Sequence, residues 1–158
     1  MSEVNKKYVV ALDLSLSNSG VCIFDENGIP VDVFSIPTNT KHSHGERLKT
    51  IADSLTNVKE RYNITAIVLE KGFSLHNLST QAIFKVTGIA NYIFWEYEQI
   101  YYAPSSVKKI VSGNGKTDKI GIRKIVENKF PYLKIENEDQ SDAVSVGMAY
   151  FIDKGEKQ

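Results

Sequence analysis

The order of elements predicts an α/β fold: a five-stranded mixed sheet, three antiparallel strands followed by two parallel ones, with helices on both faces. Three observations carry this. Val9 to Leu12 is a continuous apolar run, as in a strand buried on both faces, and Ser15, Ser17, Asn18, Ser19 and Gly20 turn it into a second run, Val21 to Phe24. Ile64 to Glu70 is another such run, and reaching it through a helical stretch makes it a parallel strand in the same sheet. Each central run carries an acid: Asp13, at or just beyond the centre of the first stretch and near the mouth of its hairpin, and Glu70, which ends the second.

The remaining elements follow in order. Glu26, Asn27 and Gly28 form a strong turn signal, and Val31, Val33 and Phe34 continue as a third strand ending at Pro37. Ser43 with Glu46 is a capping box for a helix whose Leu48, Ile51, Ala52, Leu55 and Val58 follow helical spacing, ending near Tyr62. Gln81 to Glu98 reads as a helix with apolar residues around much of its circumference, and Gln99 to Ala103 as a short fifth strand stopped by Pro104. Ser105 reads as the N-cap of a short helix through Ile110 and Val111, broken at Gly113 and Gly115. A helix from about Thr117 to Lys129 carries Ile120, Ile125 and Val126 on one side. The last helix runs from about Asp139 to Lys154, with Ala143, Val146 and Ala149 or Tyr150 inward and Gly155 as its stop.

A chain of 158 residues without repeats, low-complexity runs or a Pro- and Gly-rich linker is read as one domain, residues 1–158. Its 42% hydrophobic and 24% charged residues are those of an ordinary globular protein, and a formal net charge of +0 leaves only the distribution of charge to speak for a partner. The single cysteine, Cys22, has no partner for an internal disulfide and reads as a packed core thiol, in keeping with a reducing cytoplasm. No apolar stretch is long enough to span a bilayer, so no membrane role is expected. His42, His44 and His76 lack the spacing of a zinc site.

The acids hold the chemistry. Asp139 and Asp142 lie three apart and share one face of the first turn of the last helix, so with Asp13 and Glu70 they converge if the two central strands are neighbours. Carboxylates gathered at low dielectric need a counter-charge, and hard divalent cations with oxygen ligands supply it. Two such ions about 3.5–4 Å apart can clamp the attacking and leaving oxygens of a phosphodiester displacement. Taken singly, Asp13 reads as a turn cap, and Asp139 and Asp142 as helix caps.

The motifs Leu12, Asp13, Leu14 and Ser15 with Gly20, then Val68, Leu69 and Glu70 with Phe73, then Asp139, Gln140, Ser141, Asp142 and Ala143 resemble those of the RuvC family of Holliday-junction resolvases, within the ribonuclease-H-like nuclease fold. The resemblance covers nearly the whole chain and is strongest to the smaller phage-type members. It implies that Asp13, Glu70, Asp139 and Asp142 are the metal-binding carboxylates, served by Mg²⁺ with Mn²⁺ able to substitute. It also implies two functional lysines ahead of the last acidic pair, whose spacing Lys108 and Lys119 match; Lys109 and Lys116 leave that assignment open. An aromatic near Phe73 wedges into the junction in that family. This sequence departs from the pattern at Ser19, where many relatives have Thr, and at Lys71 and Gly72, which make the loop carrying Phe73 more basic.

Between Pro104 and Pro131 there are seven basic residues against two acids, which supports a nucleic-acid partner. Lys124 and Lys129 fit an ordinary solvated helix face, whereas Lys116 and Lys119 follow a Gly-rich turn at a helix start, where backbone amides favour phosphate. Lys108, Lys116, Lys119, Arg123 and Phe73 are thus the candidate DNA contacts. Gly115, Lys116 and Thr117 are superficially like a nucleotide-binding loop, but Ile110 stands where its first Gly belongs, and no nucleotide cofactor is expected.

The reading is a metal-dependent, structure-specific endonuclease that nicks four-way or otherwise branched DNA as a homodimer built on the Gln81 to Glu98 helix, with Ile89, Ile93 and Phe94 as interface candidates. Its expected location is the cytoplasm, that of a bacterial host if the chain is phage-encoded. Two other classes share parts of this pattern. A phosphotransferase of the actin or sugar-kinase type needs a second, duplicated domain that this length does not allow. A junction-binding protein without catalysis would be expected to lack one of the four acids.

Overall fold

This computed structural model describes residues 5–71 and 77–156. Strands β1 (Tyr8–Asp13), β2 (Asn18–Asp25) and β3 (Pro30–Pro37) open the chain, followed by α1 (His44–Arg61), β4 (Ile64–Glu70), α2 (Asn77–Ile93), β5 (Glu98–Tyr102), α3 (Pro104–Ser112), α4 (Lys119–Lys129) and α5 (Glu138–Glu156). The sheet order is β3-β2-β1-β4-β5. The first three strands pair antiparallel, while β4 runs parallel to both β1 and β5, the mixed sheet that the sequence predicts.

Period-2 alternation divides the core into two layers. Val10, Leu12, Val21, Ile23, Ile67 and Leu69 face α1 and α2, where they meet Ile51, Leu55, Val86, Ala90 and Phe94. Val9, Ala11, Cys22, Phe24, Ala66 and Val68 face the opposite side, against Val107, Ile122, Val126, Ala143 and Val146 of α3 to α5. Both faces are covered, which is why the central strands read as unbroken apolar runs rather than alternating ones. Cys22 is fully buried in the second layer, and burial pushes its thiol well above the ordinary range.

Several boundaries differ from the sequence reading, each for a tertiary reason. Asp13 is the last residue of β1 rather than near its middle. Helix α2 stops at Ile93 instead of continuing to Glu98, because Glu98 opens β5 opposite Ala66. Side chains close the released helix end: Gln99 Nε2 donates to the carbonyls of Asn91 (3.2 Å) and Phe94 (3.0 Å), and Lys59 Nζ donates to that of Ile93 (3.0 Å). Ser105 is not an N-cap, since α3 begins at Pro104, whose missing N–H costs nothing in the first turn. Helix α4 begins at Lys119 rather than Thr117, capped by Asp118 Oδ1 on the N–H of Gly121 at 2.7 Å. That start turns Ile122 and Val126 inward and leaves Ile120 68% exposed. Gly155 lies inside α5, which continues to Glu156.

Candidate active site

The alternation that builds the core also aims the acids. Asp13 and Glu70 each lie one residue beyond the Leu12–Leu69 pair at the carboxyl ends of adjacent parallel strands, on the face turned toward α3, α4 and α5. Ligands of open α/β sheets bind outside these strand ends. The start of α5 lies at the same edge and brings Asp139 in its first turn and Asp142 one turn on, so that Asp13 feels the charges of Asp142, Glu70 and Asp139.

Helix α5 is seated there by polar contacts separate from those acids. Asn137 Oδ1 accepts the N–H of Gln140 at 2.9 Å, while Asn137 Nδ2 and Gln140 Nε2 both donate to Ser35 Oγ, at 2.8 and 2.9 Å. Capping is therefore the work of Asn137, and Asp139 and Asp142 are released from the plainer role of helix caps. Gly20 is what allows the approach. It faces Asp13 across the hairpin, and a Cβ there would lie 2.0 Å from the carbonyl oxygen of Asp139.

Burial and mutual repulsion both resist ionisation at this edge. Asp13 is pushed up to about 8 by burial first and then by Asp142, Glu70 and Asp139. Glu70 is pushed up to about 7, again by burial and then Asp142, with Lys119 and Lys108 opposing. Asp142 is also raised by burial, against the opposing charge and hydrogen bond of Lys119. Lys119, the first residue of α4, donates from Nζ to Asp142 Oδ2 at 3.1 Å and lies 3.5 Å from Glu138 Oε2. Burial draws the Lys119 ammonium down, but Asp142, Glu138 and Asp13 outweigh it and the net shift is upward.

Among the described residues, no three acid, His or Cys side chains converge as a ready-made ligand set as they lie here. Asp139 is turned to Asn18, whose Nδ2 donates to its Oδ2 at 2.8 Å, and Asp142 to Lys119. The donor set nonetheless fits a hard divalent cation. It consists of carboxylate oxygens only, and at Asp13, Glu70 and Asp142 burial and neighbouring acids resist the negative charge that a cation would compensate. Beside it is a cleft of about 60 Å³ lined by Glu70, Lys108, Lys119, Ile122, Asp142 and Ser145, with room for waters and small ions.

The other sequence candidates are placed as follows. Lys108 lines that cleft. Lys116 is exposed in the turn before α4, its N–H bonded to Asn114 Oδ1 at 2.9 Å. Arg123 is engaged within the protein, from Nε to Glu127 Oε1 at 2.7 Å and from Nη2 to the carbonyl of Ile135 at 3.0 Å. Phe73 lies outside the described residues. Two neighbours escaped the sequence reading: Glu138 beside Lys119, and Asn18, which had read only as a turn residue. Asn18 and Asp139 are 121 positions apart, and no local signal links them.

A mixed sheet in this strand order, with acids ending its two central parallel strands and opening the helix that crosses them, defines a nuclease of the ribonuclease-H-like class. The chain belongs to the RuvC family: the model described as "Crossover junction endodeoxyribonuclease RuvC" matches residues 9–150. It is therefore a crossover junction endodeoxyribonuclease, and nucleases of this family depend on a metal. A RuvC from Prochlorococcus marinus subsp. pastoris is 24% identical over 157 residues, covering 93% of this chain and 98% of that protein. One from Cutibacterium acnes is 33% identical over 121 residues, 70% of this chain and 60% of that protein. In fold, the chain matches Thermus thermophilus RuvC in complex with Holliday junction substrate at TM-score 0.84 and 17% identity, covering 95% of this chain and 96% of that one. It matches Fowlpox virus resolvase in complex with Holliday junction DNA at TM-score 0.53 and 14% identity, covering 93% and 98%. Among the described residues, no helix is long and apolar enough to cross a membrane.

Proposed function

We propose that Asp13, Glu70, Asp139 and Asp142 hold Mg²⁺, or Mn²⁺ in its place, at the carboxyl edge of the sheet, and that this edge cleaves strands of a four-way DNA junction. The observation that carries the reading is that acids from β1, β4 and α5 lie near enough, at one partly buried edge beside Lys119, for Asp13 to feel the charges of the other three. When bound, the cations would supply an activated water and neutralise charge on the phosphate under attack. The protein's own part is to hold the acids rigidly on strand ends and a helix start, and to place a cation at the phosphate. Lys119 is that cation, since it already lies against Asp142; Lys108, which lines the same cleft, is a second. Lys116 and Phe73 are read as contacts to the DNA beyond the cut. Arg123 has the charge for this role, although its guanidinium is engaged with Glu127 and Ile135. The chain acts as one domain in the cytoplasm.

The same reading makes the protein a homodimer whose two sites nick opposed strands, matching the near two-fold symmetry of a junction. The surface of α2 suits this, with different residues from those the sequence suggested. Phe94 is fully buried and Ile89 and Ile93 are half-buried, whereas Phe84 (64%), Tyr92 (78%) and Trp95 (73%) stand exposed. Phe84, Gly88 and Tyr92 fall on one stripe at successive turns, and open apolar stripes of this kind are characteristic of interfaces.

The decisive experiment incubates labelled four-way, three-way and linear DNA with the protein in Mg²⁺ or EDTA, for the wild type and for each of Asp13→Asn, Glu70→Gln, Asp139→Asn and Asp142→Asn. Cleavage of the four-way junction is expected only with the cation, and is expected to collapse in every variant while junction binding in EDTA survives. An Asp139→Asn or Asp142→Asn variant that cuts at the wild-type rate would remove that residue from the site.

A further inference from the structure

We propose that Asn18 is a positioning residue for Asp139, its side-chain amide fixing which carboxylate oxygen is presented to a bound divalent cation. This rests on the reading of Asp139 as a cation ligand. Asn18 opens β2, and its Nδ2 donates to Asp139 Oδ2 at 2.8 Å. An ionised carboxylate only accepts, so the amide nitrogen must be the atom that faces it.

How firmly Asn18 is held separates it from a chance surface amide. Its N–H donates to Ser15 Oγ at 3.0 Å, and the Ser15 hydroxyl donates back to the carbonyl of Asn18 at 2.9 Å. Ser19, fully buried, repeats the exchange: its hydroxyl donates to the carbonyl of Ser15 at 2.8 Å and accepts the Ser15 N–H at 3.1 Å. Arg47, only 8% exposed, clamps the same turn from α1, with Nη2 3.4 Å from both the Leu16 carbonyl and Ser17 Oγ and Nε on Thr38 Oγ1 at 3.0 Å. The turn is thus a small polar lattice with Asn18 at its outlet.

Asp139 is consequently tied to strand β2 at both ends, its main chain against Gly20 and its carboxylate by Asn18. The nature of the donor matters. Lys119 neutralises Asp142 and competes with a cation for it, whereas a neutral amide orients Asp139 and leaves its charge intact. With one oxygen committed to Asn18, the other is the one through which Asp139 would ligate. Partners that orient ligands in this way typically change metal affinity by about 10–100-fold.

The test measures Mn²⁺ binding by electron paramagnetic resonance, and the Mg²⁺-induced rise in thermal midpoint, for wild type, Asn18→Ala, Asn18→Ser, Asp139→Asn and the Asn18→Ala/Asp139→Asn pair. The midpoint in EDTA reports folding. Asn18→Ala is expected to weaken cation binding roughly 10–100-fold, Asn18→Ser to recover part of that loss, and the pair to bind no more weakly than Asp139→Asn alone. Junction affinity in EDTA stays at the wild-type value. If Asp139→Asn weakens cation binding and Asn18→Ala does not, the positioning role is overturned; if neither does, the reading of Asp139 as a ligand fails first. Loss of junction affinity in EDTA with cation binding intact would make Asn18 a DNA contact, which also overturns the proposal. Should Asn18→Ala fail to fold, Asn18→Leu, similar in size and without a donor, carries the same comparison.

Discussion

Gly20 and Asp139 occupy one space: a Cβ on the glycine would stand 2.0 Å from the aspartate's carbonyl oxygen and 2.5 Å from its carbonyl carbon. Both are main-chain atoms at the start of α5, so no side-chain rotation can make room. Gly20→Ala is therefore expected to destabilise the fold by about 1–3 kcal/mol, as overpacking does, and to push Asp139 away from Asp13. A lowered thermal midpoint together with weakened cation binding checks this. A lowered midpoint with unchanged cation binding would separate the packing role from the site.

The metal-free protein should lose stability as pH rises. Asp13 goes from an ordinary 3.8 to about 8 on folding, and Glu70 from 4.5 to about 7, so between roughly pH 4 and pH 8 the native state holds protons that the unfolded chain has released. Stability is then greatest at the acid end of that window and falls toward its alkaline end. Urea midpoints in EDTA at about pH 5 and about pH 8 should differ by more than ~1.4 kcal/mol, the worth of one pKa unit. Asp13→Asn should flatten the slope.

Saturating Mg²⁺ should act in the opposite direction, because a cation that binds ionised acids of the native state alone stabilises it and releases protons. Its stabilising effect is expected to grow from about pH 5 to about pH 8 in the wild type. In Asp13→Asn it should be small at both. Calorimetric midpoints with and without the cation test this, and a cation effect independent of pH would contradict the raised acids.

Lys119→Ala should lower the single-turnover cleavage rate by about 10²–10³, the usual loss of one preorganised donor at a developing charge, and change junction affinity little. Lys124→Ala, on the exposed side of α4, should weaken binding slightly and reduce its salt dependence instead. Rates at saturating enzyme, beside binding isotherms at several salt concentrations, distinguish the two.

Tyr92→Asp, on the exposed stripe of α2, or Trp95→Glu, just past the end of that helix, places a charge on this surface without touching the buried Phe94. Sedimentation should then report a monomer that nicks single strands but makes no paired cuts. A wild type that sediments as a monomer at micromolar concentration and still makes paired cuts would exclude the dimer.

The sequence by itself marked the strands and the four acids, because each is a local matter, whereas the β1–β4 pairing on which convergence of the acids depends is seen only in the sheet. Continuous apolar runs mark strands buried on both faces, helical spacing between two of them makes the pair parallel, and Asp13, Glu70, Asp139 and Asp142 stand out against those runs. Where α2 ends was decided elsewhere, by the pairing of Glu98 with Ala66 and by Gln99 and Lys59 closing the helix. The start of α4 was decided by the Asp118 cap, which brings Lys119 rather than Lys116 to the acids. Tertiary structure alone supplied the partners of the acids, since Asn18 meets Asp139 across 121 residues and Lys119 meets Asp142 across 23. Contacts of that kind depend on how the first turn of α5 docks on Gly20, and nothing in the spacing of residues along the chain encodes that docking.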